Sequence, residues 1–223
     1  MEDSGAVSTD WQQWHEHYDD PASSLARRLA TVRDVVRDLL IRREGAPPRV
    51  TSICAGDGRD LLPVLASTDG DVDAVLVEID ADLADRARAA AAASGLSRVQ
   101  VRTGDAGLSS TLTGLPPADV FLACGVFGNI TDGDLETTIG ALPGFLAPGG
   151  AVIWTRGASL GAGELSAYAG DPADLVREVF ARHGFTEEMF VRPADADFRV
   201  GVHRRSVDVS RVALPERLFS FAR

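Results

Sequence analysis

The stretch "ICAGDGRDLL", residues 53–62, decides how the rest of the sequence is interpreted. It follows the β-branched pair Val50-Thr51 and leads into a leucine-rich segment, so the pattern predicts a strand, a tight turn and a helix. Gly56 and Gly58 permit backbone conformations, and a close approach of a ligand, that a side chain would block. The free amides of a following helix would add a partial positive charge. The turn is therefore a candidate ligand site.

Short apolar runs alternate with helical segments along the chain. The patterns predict strands at 50–54, 74–79, 99–102, 120–124 and 151–155, and later ones around 188–192, 198–203 and 218–222. They predict helices at 23–43, 60–66, 81–93, 132–145 and 172–183, and a tight turn at "LAPGG", 146–150. Such alternation is typical of a doubly wound, mostly parallel sheet with helices on both faces. Ligands of such sheets bind at the carboxyl ends of the strands, where "CAGDG" lies.

Composition narrows the class of protein. The chain has 223 residues, 45% of them hydrophobic, and a formal net charge of −11 without any lysine. Such a surface repels phosphate backbones, so we expect neither nucleic acids nor membranes as partners. Cys54 and Cys124 are far apart in sequence, which favours reduced thiols and a cytoplasmic protein. We find no signal peptide, no membrane-spanning run and no pattern of a metal site.

Two common nucleotide-binding motifs do not fit the glycine turn. A dinucleotide fingerprint needs a third glycine at position 61, where this chain has Leu61. A phosphate-binding P-loop needs a lysine, which the chain lacks. A turn with a purely structural role also stays possible on the two glycines alone.

Three further strand ends carry polar or small residues. "VLVEID", residues 75–80, carries Glu78 near the end of the second strand, about 20 residues after the turn, where a carboxylate can accept hydrogen bonds from ribose hydroxyls. "VRTGDAG" offers Asp105 as an acceptor for an adenine amine, and Ala106 leaves room for a ring. "LACGVFGN" places the small residues Cys124 and Gly125 where a ligand could lie against the backbone.

With these motifs the sequence resembles the class I S-adenosylmethionine-dependent methyltransferases over about residues 50–156. "VTSICAGDGRD" matches the glycine motif of that family, "VLVEID" its acidic ribose motif and "GDA" its adenine motif. The resemblance implies a Rossmann-like domain at 46–223 with a seven-stranded sheet and an antiparallel last strand, preceded at 1–45 by a tail, an aromatic lid and a cap helix. It implies S-adenosylmethionine as the cofactor and S-adenosylhomocysteine as the product. The implied cofactor-binding residues are Tyr18, Cys54, Ala55, Gly56, Gly58, Asp60, Glu78, Ile79, Asp105, Ala106, Cys124 and Gly125.

The sequence departs from the family pattern at two positions. Ser52 stands where the family usually has an acidic residue, and Cys54 replaces the first glycine of the motif. Asp57 and Asp60 could supply negative charge nearby, or be solvated or lie at the start of the helix. The two cysteines are interpreted as small apolar residues of the core, with a redox pair at the cofactor cleft as the alternative.

Residues for the acceptor and for catalysis are less well defined. "WQQWHEHYDDP" offers Trp11, Trp14 and Tyr18 as a hydrophobic cover, and His15 or His17 as a base, or else anchors the first helix. Beyond the fourth strand, Phe127 either lines the acceptor pocket or lies in the core, and Asn129 either lies near the transferred methyl or caps a turn. The remaining candidates are His203, in a cleft or on a wet face, and Glu164 and Tyr168 in a glycine-rich loop, whereas His183 is expected to have a structural role.

The sequence therefore predicts a methyltransferase that acts on an oxygen or nitrogen of a small organic molecule. An aminopropyltransferase on the same scaffold is one alternative, hinted at by Asp132 and Asp134, because polyamine binding needs paired acids. A degenerate, non-enzymatic cofactor-binding domain is the other. The sequence does not decide the oligomeric state, and a homodimer stays open.

Overall fold

A sheet of seven strands forms the centre of the computed structural model of the protein, which describes residues 20, 22–41, 46–68, 71–157, 166–206 and 213–222. In chain order the strands are β1 (Arg49–Ile53), β2 (Asp73–Glu78), β3 (Val99–Thr103), β4 (Ala118–Ala123), β5 (Leu146–Arg156), β6 (Phe185–Val191) and β7 (Arg199–Arg205). Their spatial order is β3-β2-β1-β4-β5-β7-β6. The first five pair in parallel, and β7 lies antiparallel between β5 and β6. The predicted fold, a doubly wound and mostly parallel sheet, is confirmed.

Six helices flank the sheet in the described ranges. They are α1 (Ser24–Ile41), α2 (Leu62–Ala66), α3 (Ala81–Ala93), α4 (Ser109–Leu112), α5 (Asp132–Ala141) and α6 (Pro172–Arg182). The side chains of Asp80, Thr131 and Asp171 accept hydrogen bonds from backbone amides and so cap α3, α5 and α6. None of the described helices is long and apolar enough to cross a membrane.

Each face of the sheet carries its own hydrophobic cluster. The first contains Phe121, Trp154 and Phe180 and packs under α5, α6 and the carboxyl-terminal segment. The second contains Val36 and Leu122 and packs under α1, α2 and α3. Because both faces are covered, the sheet is open to ligands only at its edges and strand ends.

Four sequence predictions are wrong in detail. The helix after the glycine turn begins at Leu62 rather than at position 60 and has five residues, so its dipole contributes little to the site. "LAPGG" is part of β5 and not a free turn, and 218–222 contains no strand. The helix predicted at 132–145 ends at Ala141 and continues as one 3-10 turn, Leu142–Gly144, because Pro143 lacks an amide to donate.

Candidate functional site

The glycine turn lies at the carboxyl end of β1, in the middle of the sheet. Its backbone has positive φ at Cys54 (50°), Gly56 (56°) and Gly58 (79°). A Cβ at Gly58 would lie 2.6 Å from the Leu62 Cδ1 atom, so a side chain there would displace the start of α2. Cys54 is the one described non-glycine residue with positive φ, in a conformation that costs about 1 kcal/mol or more without glycine. The turn is therefore tight and locally strained.

Glu78 joins the glycine turn to the end of β2. Its carboxylate is buried, with Oε2 accepting a hydrogen bond from the Gly56 amide at 2.7 Å and Oε1 accepting one from the Asp80 amide at 2.9 Å. Each oxygen keeps a further lone pair for a ligand hydroxyl. The adjoining Ile79 is 63% exposed, an unusual position for a large apolar side chain. An acidic group and an apolar platform thus meet beside the turn.

Asp105 lies beyond the end of β3, next to the buried Ala106. Its Oδ1 accepts from the Gly107 amide at 2.8 Å, and its Oδ2 lies 3.2 Å from Nη1 of Arg217. The Leu218 amide also donates to the Gly107 carbonyl at 2.7 Å. The carboxyl-terminal segment therefore crosses this strand end, which the sequence did not predict.

Cys124 and Gly125 follow β4, as predicted. Gly125 has φ 73° and its amide donates to Oγ1 of Thr155 at 2.9 Å. Cys54 and Cys124 are both free, but Cys54 packs against the cluster under α5 and α6, whereas Cys124 belongs to the cluster under α1 to α3. Burial raises the pKa of both thiols, which disfavours the reactive thiolate. This arrangement favours small core residues over a redox pair.

Two acidic groups stand close to the turn in different environments. Asp57 forms an ion pair with Arg59 at 2.5 Å, so its charge is compensated. Burial raises the pKa of the Asp60 carboxyl, while Arg28 and Arg33 on α1 act in the opposite direction. Asp60 therefore places a carboxyl beside Cys124, in an apolar setting that disfavours its charged form.

Several acceptor-side candidates are not brought to a pocket. Phe127 is fully buried and contacts the rings of Trp154 and Phe180, so it is a core residue and not a pocket wall. The Tyr168 hydroxyl donates to Oε1 of Glu178 on α6 at 2.8 Å. The candidates Trp11, Trp14, His15, His17, Tyr18 and Glu164 lie outside the described residues.

His203 lies neither in a cleft nor on a wet face. It is 1% exposed and pairs with Val152, four residues before the carboxyl end of β5. Its Nδ1 accepts a hydrogen bond from Nε1 of Trp154 at 3.0 Å, and its ring stacks on Phe180 at 4.3 Å. Burial, the largest cause, lowers the pKa of His203 to about 4. His203 is therefore a core residue, because α6 packs on its face of β7 and covers it.

Asn129 and the acidic pair after β4 hold loops in place. The Asn129 side-chain amide donates to the Gly125 carbonyl at 2.7 Å, and the backbone carbonyl of Asn129 accepts from the Ala222 amide at 3.0 Å. Oδ2 of Asp132 accepts from the Ser166 hydroxyl and the Ala167 amide, both at 3.1 Å, and Oδ2 of Asp134 accepts from the Ser220 amide at 3.2 Å. The two acids are thus engaged with different loops and do not face each other as a diamine clamp would require.

Sequence reasoning missed two arginines at this edge of the sheet. Arg217 reaches Asp105 from the carboxyl-terminal segment, and no local pattern marks that contact. Arg156 ends β5 and is 3% exposed. Its signal was present, since a charged residue directly ends the apolar run "AVIWTR" at the predicted ligand edge.

The fold is shared with solved methyltransferases. A magnesium protoporphyrin IX methyltransferase from Synechocystis PCC 6803, solved with bound S-adenosylhomocysteine, superposes with a TM-score of 0.66 at 16% identity, covering 89% of this chain and 95% of its own. An O-methyltransferase family protein from Burkholderia thailandensis gives 0.63 at 17% identity, with 82% of this chain covered but only 57% of the other. This chain therefore spans little more than half of the Burkholderia protein.

A third neighbour, the [4+2]-cyclase SpnF, has a TM-score of 0.58 at 15% identity and covers 79% of this chain and 81% of its own. No family model and no curated protein sequence matches the chain. The chain has the fold of the class I S-adenosylmethionine-dependent methyltransferases, with the sheet order and antiparallel β7 described above. Because a cyclase shares it, the fold alone does not decide the reaction.

Proposed function

We propose that this protein binds S-adenosylmethionine and transfers its methyl group to an oxygen or nitrogen of a small organic molecule. The observation that carries the proposal is the position of Glu78, whose buried carboxylate contacts the Gly56 amide at the middle of the carboxyl edge. An acid held against a glycine turn suits a ribose that carries two hydroxyls, and the neighbouring Ile79 suits one face of an adenine. The neighbours with methyltransferase activity in their names support the same choice.

The residues present fit this cofactor. The positive-φ positions leave room for close approach, Glu78 has free lone pairs for the ribose hydroxyls, and Asp105 offers an acceptor for the adenine amine. Two further positions expected from the sequence, Cys124 and Gly125, follow β4 at the same edge. The sulfonium of the bound cofactor supplies an activated methyl group, so the chain needs mainly to orient the acceptor and exclude water.

A small acceptor in the cytoplasm agrees with the chemistry of the chain. The net charge of −11 disfavours nucleic acids, and the two free cysteines agree with a reducing compartment. Residues 1–45 are proposed to form a tail, lid and cap helix ahead of the catalytic domain, 46–223. The aminopropyl-transfer alternative is disfavoured by the loop contacts of Asp132 and Asp134.

Calorimetric titration with S-adenosylhomocysteine, and separately with NAD, tests the cofactor. We expect micromolar binding of S-adenosylhomocysteine alone. Glu78→Gln should weaken it by about 1–3 kcal/mol, because one charged acceptor for the ribose is lost. Glu188→Gln is the matched control, since Glu188 pairs with Arg204 at the distant β6 edge and should leave the affinity unchanged.

Binding of NAD, or of neither compound, would contradict the proposal. Equal affinity in Glu78→Gln and wild type would show that the ribose site is misassigned. If S-adenosylhomocysteine binds, turnover of S-adenosylmethionine with a panel of small acceptors separates an enzyme from a binding protein without activity.

A further inference from the structure

Arg156 occupies a position at the ligand edge that no part of the cofactor site uses. Trp154 pairs with Ala123, so continuing the parallel register places Arg156 level with Gly125, beyond the end of β4. Its Cγ lies 3.8 Å from where a Cβ of Gly128 would be, so the side chain runs along the loop that carries Asn129. Arg156 therefore stands beside the cofactor strand ends, on the side of α5 and α6.

The guanidinium of Arg156 lacks hydrogen-bond partners on one edge. Within the described part of the chain, its buried Nε and Nη2 atoms have none. These two N–H groups form one side of the guanidinium and point in parallel, which is the geometry that binds both oxygens of a carboxylate. Arginine stays charged even when burial lowers its pKa, as it does here. A buried cation with an unused fork is costly, so it calls for an anionic partner.

Asp132 supplies a second unsatisfied group nearby. Its Oδ2 is engaged with Ser166 and Ala167, but its buried Oδ1 has no hydrogen-bond partner among the described residues. Burial lowers the pKa of the Arg156 guanidinium, and the negative charges of Asp132 and Asp171 act in the opposite direction. Among the described residues, Oδ1 of Asp132 and the Nε and Nη2 atoms of Arg156 therefore do not hydrogen-bond to each other. Two N–H donors of Arg156 and one acceptor oxygen of Asp132 therefore lack hydrogen-bond partners among the described residues.

We propose that Arg156 and Asp132 recognise a carboxylate-bearing acceptor substrate. Nε–H and Nη2–H of Arg156 donate to the two carboxylate oxygens, and Oδ1 of Asp132 accepts a hydrogen bond from a hydroxyl or amine of the same molecule. A monoanionic carboxylate is favoured over a phosphate dianion, because the charge of Asp132 would repel the second negative charge, whereas Asp171 is already paired with Arg192 and Arg199. The role as acceptor site rests on the proposed function, whereas the carboxylate site itself does not.

The site also orients its ligand. A two-point contact with a planar fork fixes both the position and the plane of a carboxylate, which a lysine point charge does not do. A molecule anchored at Arg156 would extend along the loop of Gly128 toward Gly125 and the cofactor strand ends. Arg156 is thus a specificity-determining residue, and it contacts the part of the acceptor that does not react.

Competition between matched acids and amides tests the site. The protein, with S-adenosylhomocysteine added, is titrated with acetate and acetamide and with benzoate and benzamide at constant ionic strength, followed by protein-detected NMR shifts. We expect at least one acid to bind at least tenfold more tightly than its amide. Arg156→Met should abolish that preference, and Arg156→Lys should reduce it, because the charge stays but the fork is lost. Arg98→Met, at the amino end of β3, is the control and should keep it.

Equal binding of acids and amides, binding of neither, or a preference that survives in Arg156→Met would overturn the inference. If Arg156→Met does not fold, the wild-type preference and its loss in Arg156→Lys decide the question. The same titration separates the two proposals. An Arg156-dependent preference without binding of S-adenosylhomocysteine would support the carboxylate site and refute the proposed cofactor.

Discussion

The burial of His203 makes the stability of the fold depend on pH in a defined window. Nδ1 of His203 accepts the hydrogen bond from Trp154, so the neutral ring carries its proton on Nε2, 3.6 Å from Oε2 of Glu187. A second proton on Nδ1 would set two N–H donors against each other in a buried site. Burial and the positive charge of Arg177 lower the pKa of His203 to about 4, while Glu187 opposes them.

The sign of the effect follows from proton binding in the two states. The unfolded chain takes up a proton near its ordinary pKa of 6.5, whereas folded His203 does so near 4, so the unfolded state binds more protons between these values. The stabilisation is therefore present above pH 6.5 and is lost as the pH falls toward 4. The difference between these two pKa values therefore lowers the free energy of unfolding by about 2 kcal/mol from pH 7 to pH 5.

Urea unfolding of the wild type and of His203→Gln at half-unit steps from pH 7 to pH 5 measures this loss. Glutamine can accept from the Trp154 indole but does not titrate, so the variant should lose about 2 kcal/mol less than the wild type over this range. The lowered carboxyl pKa values of Asp171 and Glu187 belong to groups that ordinarily titrate at 3.8 and 4.5, below the window. Parallel curves for the two proteins would show that His203 is not held neutral in the core.

Two further predictions concern backbone and packing. Cys54→Gly should change the free energy of unfolding by less than about 1 kcal/mol, because glycine accepts the φ of 50° at no steric cost. Cys54→Val should lower the free energy of unfolding by about 2 kcal/mol or more. Equal urea midpoints for the two variants would contradict the strain at this turn. A Cβ at Gly201 would lie 2.3 Å from Cε2 of Trp154, so Gly201→Ala should cost about 3 kcal/mol. Gly133→Ala, in α5, is the control: its Cβ would meet only a 3.8 Å contact, so it should be neutral or slightly stabilising. Thermal unfolding of the wild type and both alanine variants would refute the clash at Gly201 if the two variants behaved alike.

The fold was predictable where local signals agree with long-range pairing. Asp80 begins α3 in both the sequence pattern and the structure, because a side-chain cap is a contact within one turn. "LAPGG" failed for the opposite reason. Gly149 does have a turn-like φ of 71°, but its carbonyl accepts from Nη1 of Arg204 at 2.7 Å, and the residues around it pair with β4 and β7. Partners far away in sequence override the local turn chemistry there.

The carboxyl-terminal segment shows a second limit of pattern. Its apolar residues predicted a strand at 218–222, yet Leu218 and Phe219 are buried in the cluster under α5 without a sheet partner beyond one bridge at Arg217. The segment is held instead by single contacts, such as the Thr138 hydroxyl donating to the Leu218 carbonyl at 2.9 Å. Alternation reports burial of one side of a chain, and it does not report what covers that side.

Some residues of the candidate site could be predicted from local sequence, and others depend on contacts that only the whole fold makes. Glu78 is the last residue of β2, and Asp105 and Gly125 lie two residues beyond β3 and β4, so the topology that brings the strand ends together also brings these residues to one edge. His203 was expected in a cleft or on a wet face, but whether a helix covers that face of β7 is a property of the whole fold. The charge of Arg156 at the end of the apolar run was visible in the sequence, but the hydrogen-bond partners that its guanidinium lacks are a property of the whole fold.

The departures from the family pattern have different weights once the backbone is known. Cys54 adopts a φ of 50°, the region that a glycine at this position would occupy, so the path of the turn is kept although the residue has changed. The case for a degenerate site therefore rests on Ser52 alone, which is buried on β1 and removes one negative charge. Asp60 places a carboxyl nearby, but burial raises its pKa, so its charge depends on a compensating cation. Arg28 and Arg33 already act on it from α1, and an ammonium group of a ligand would act in the same direction. A turn with this geometry and this acid keeps the means to hold a cationic cofactor, even without the usual acidic residue on β1.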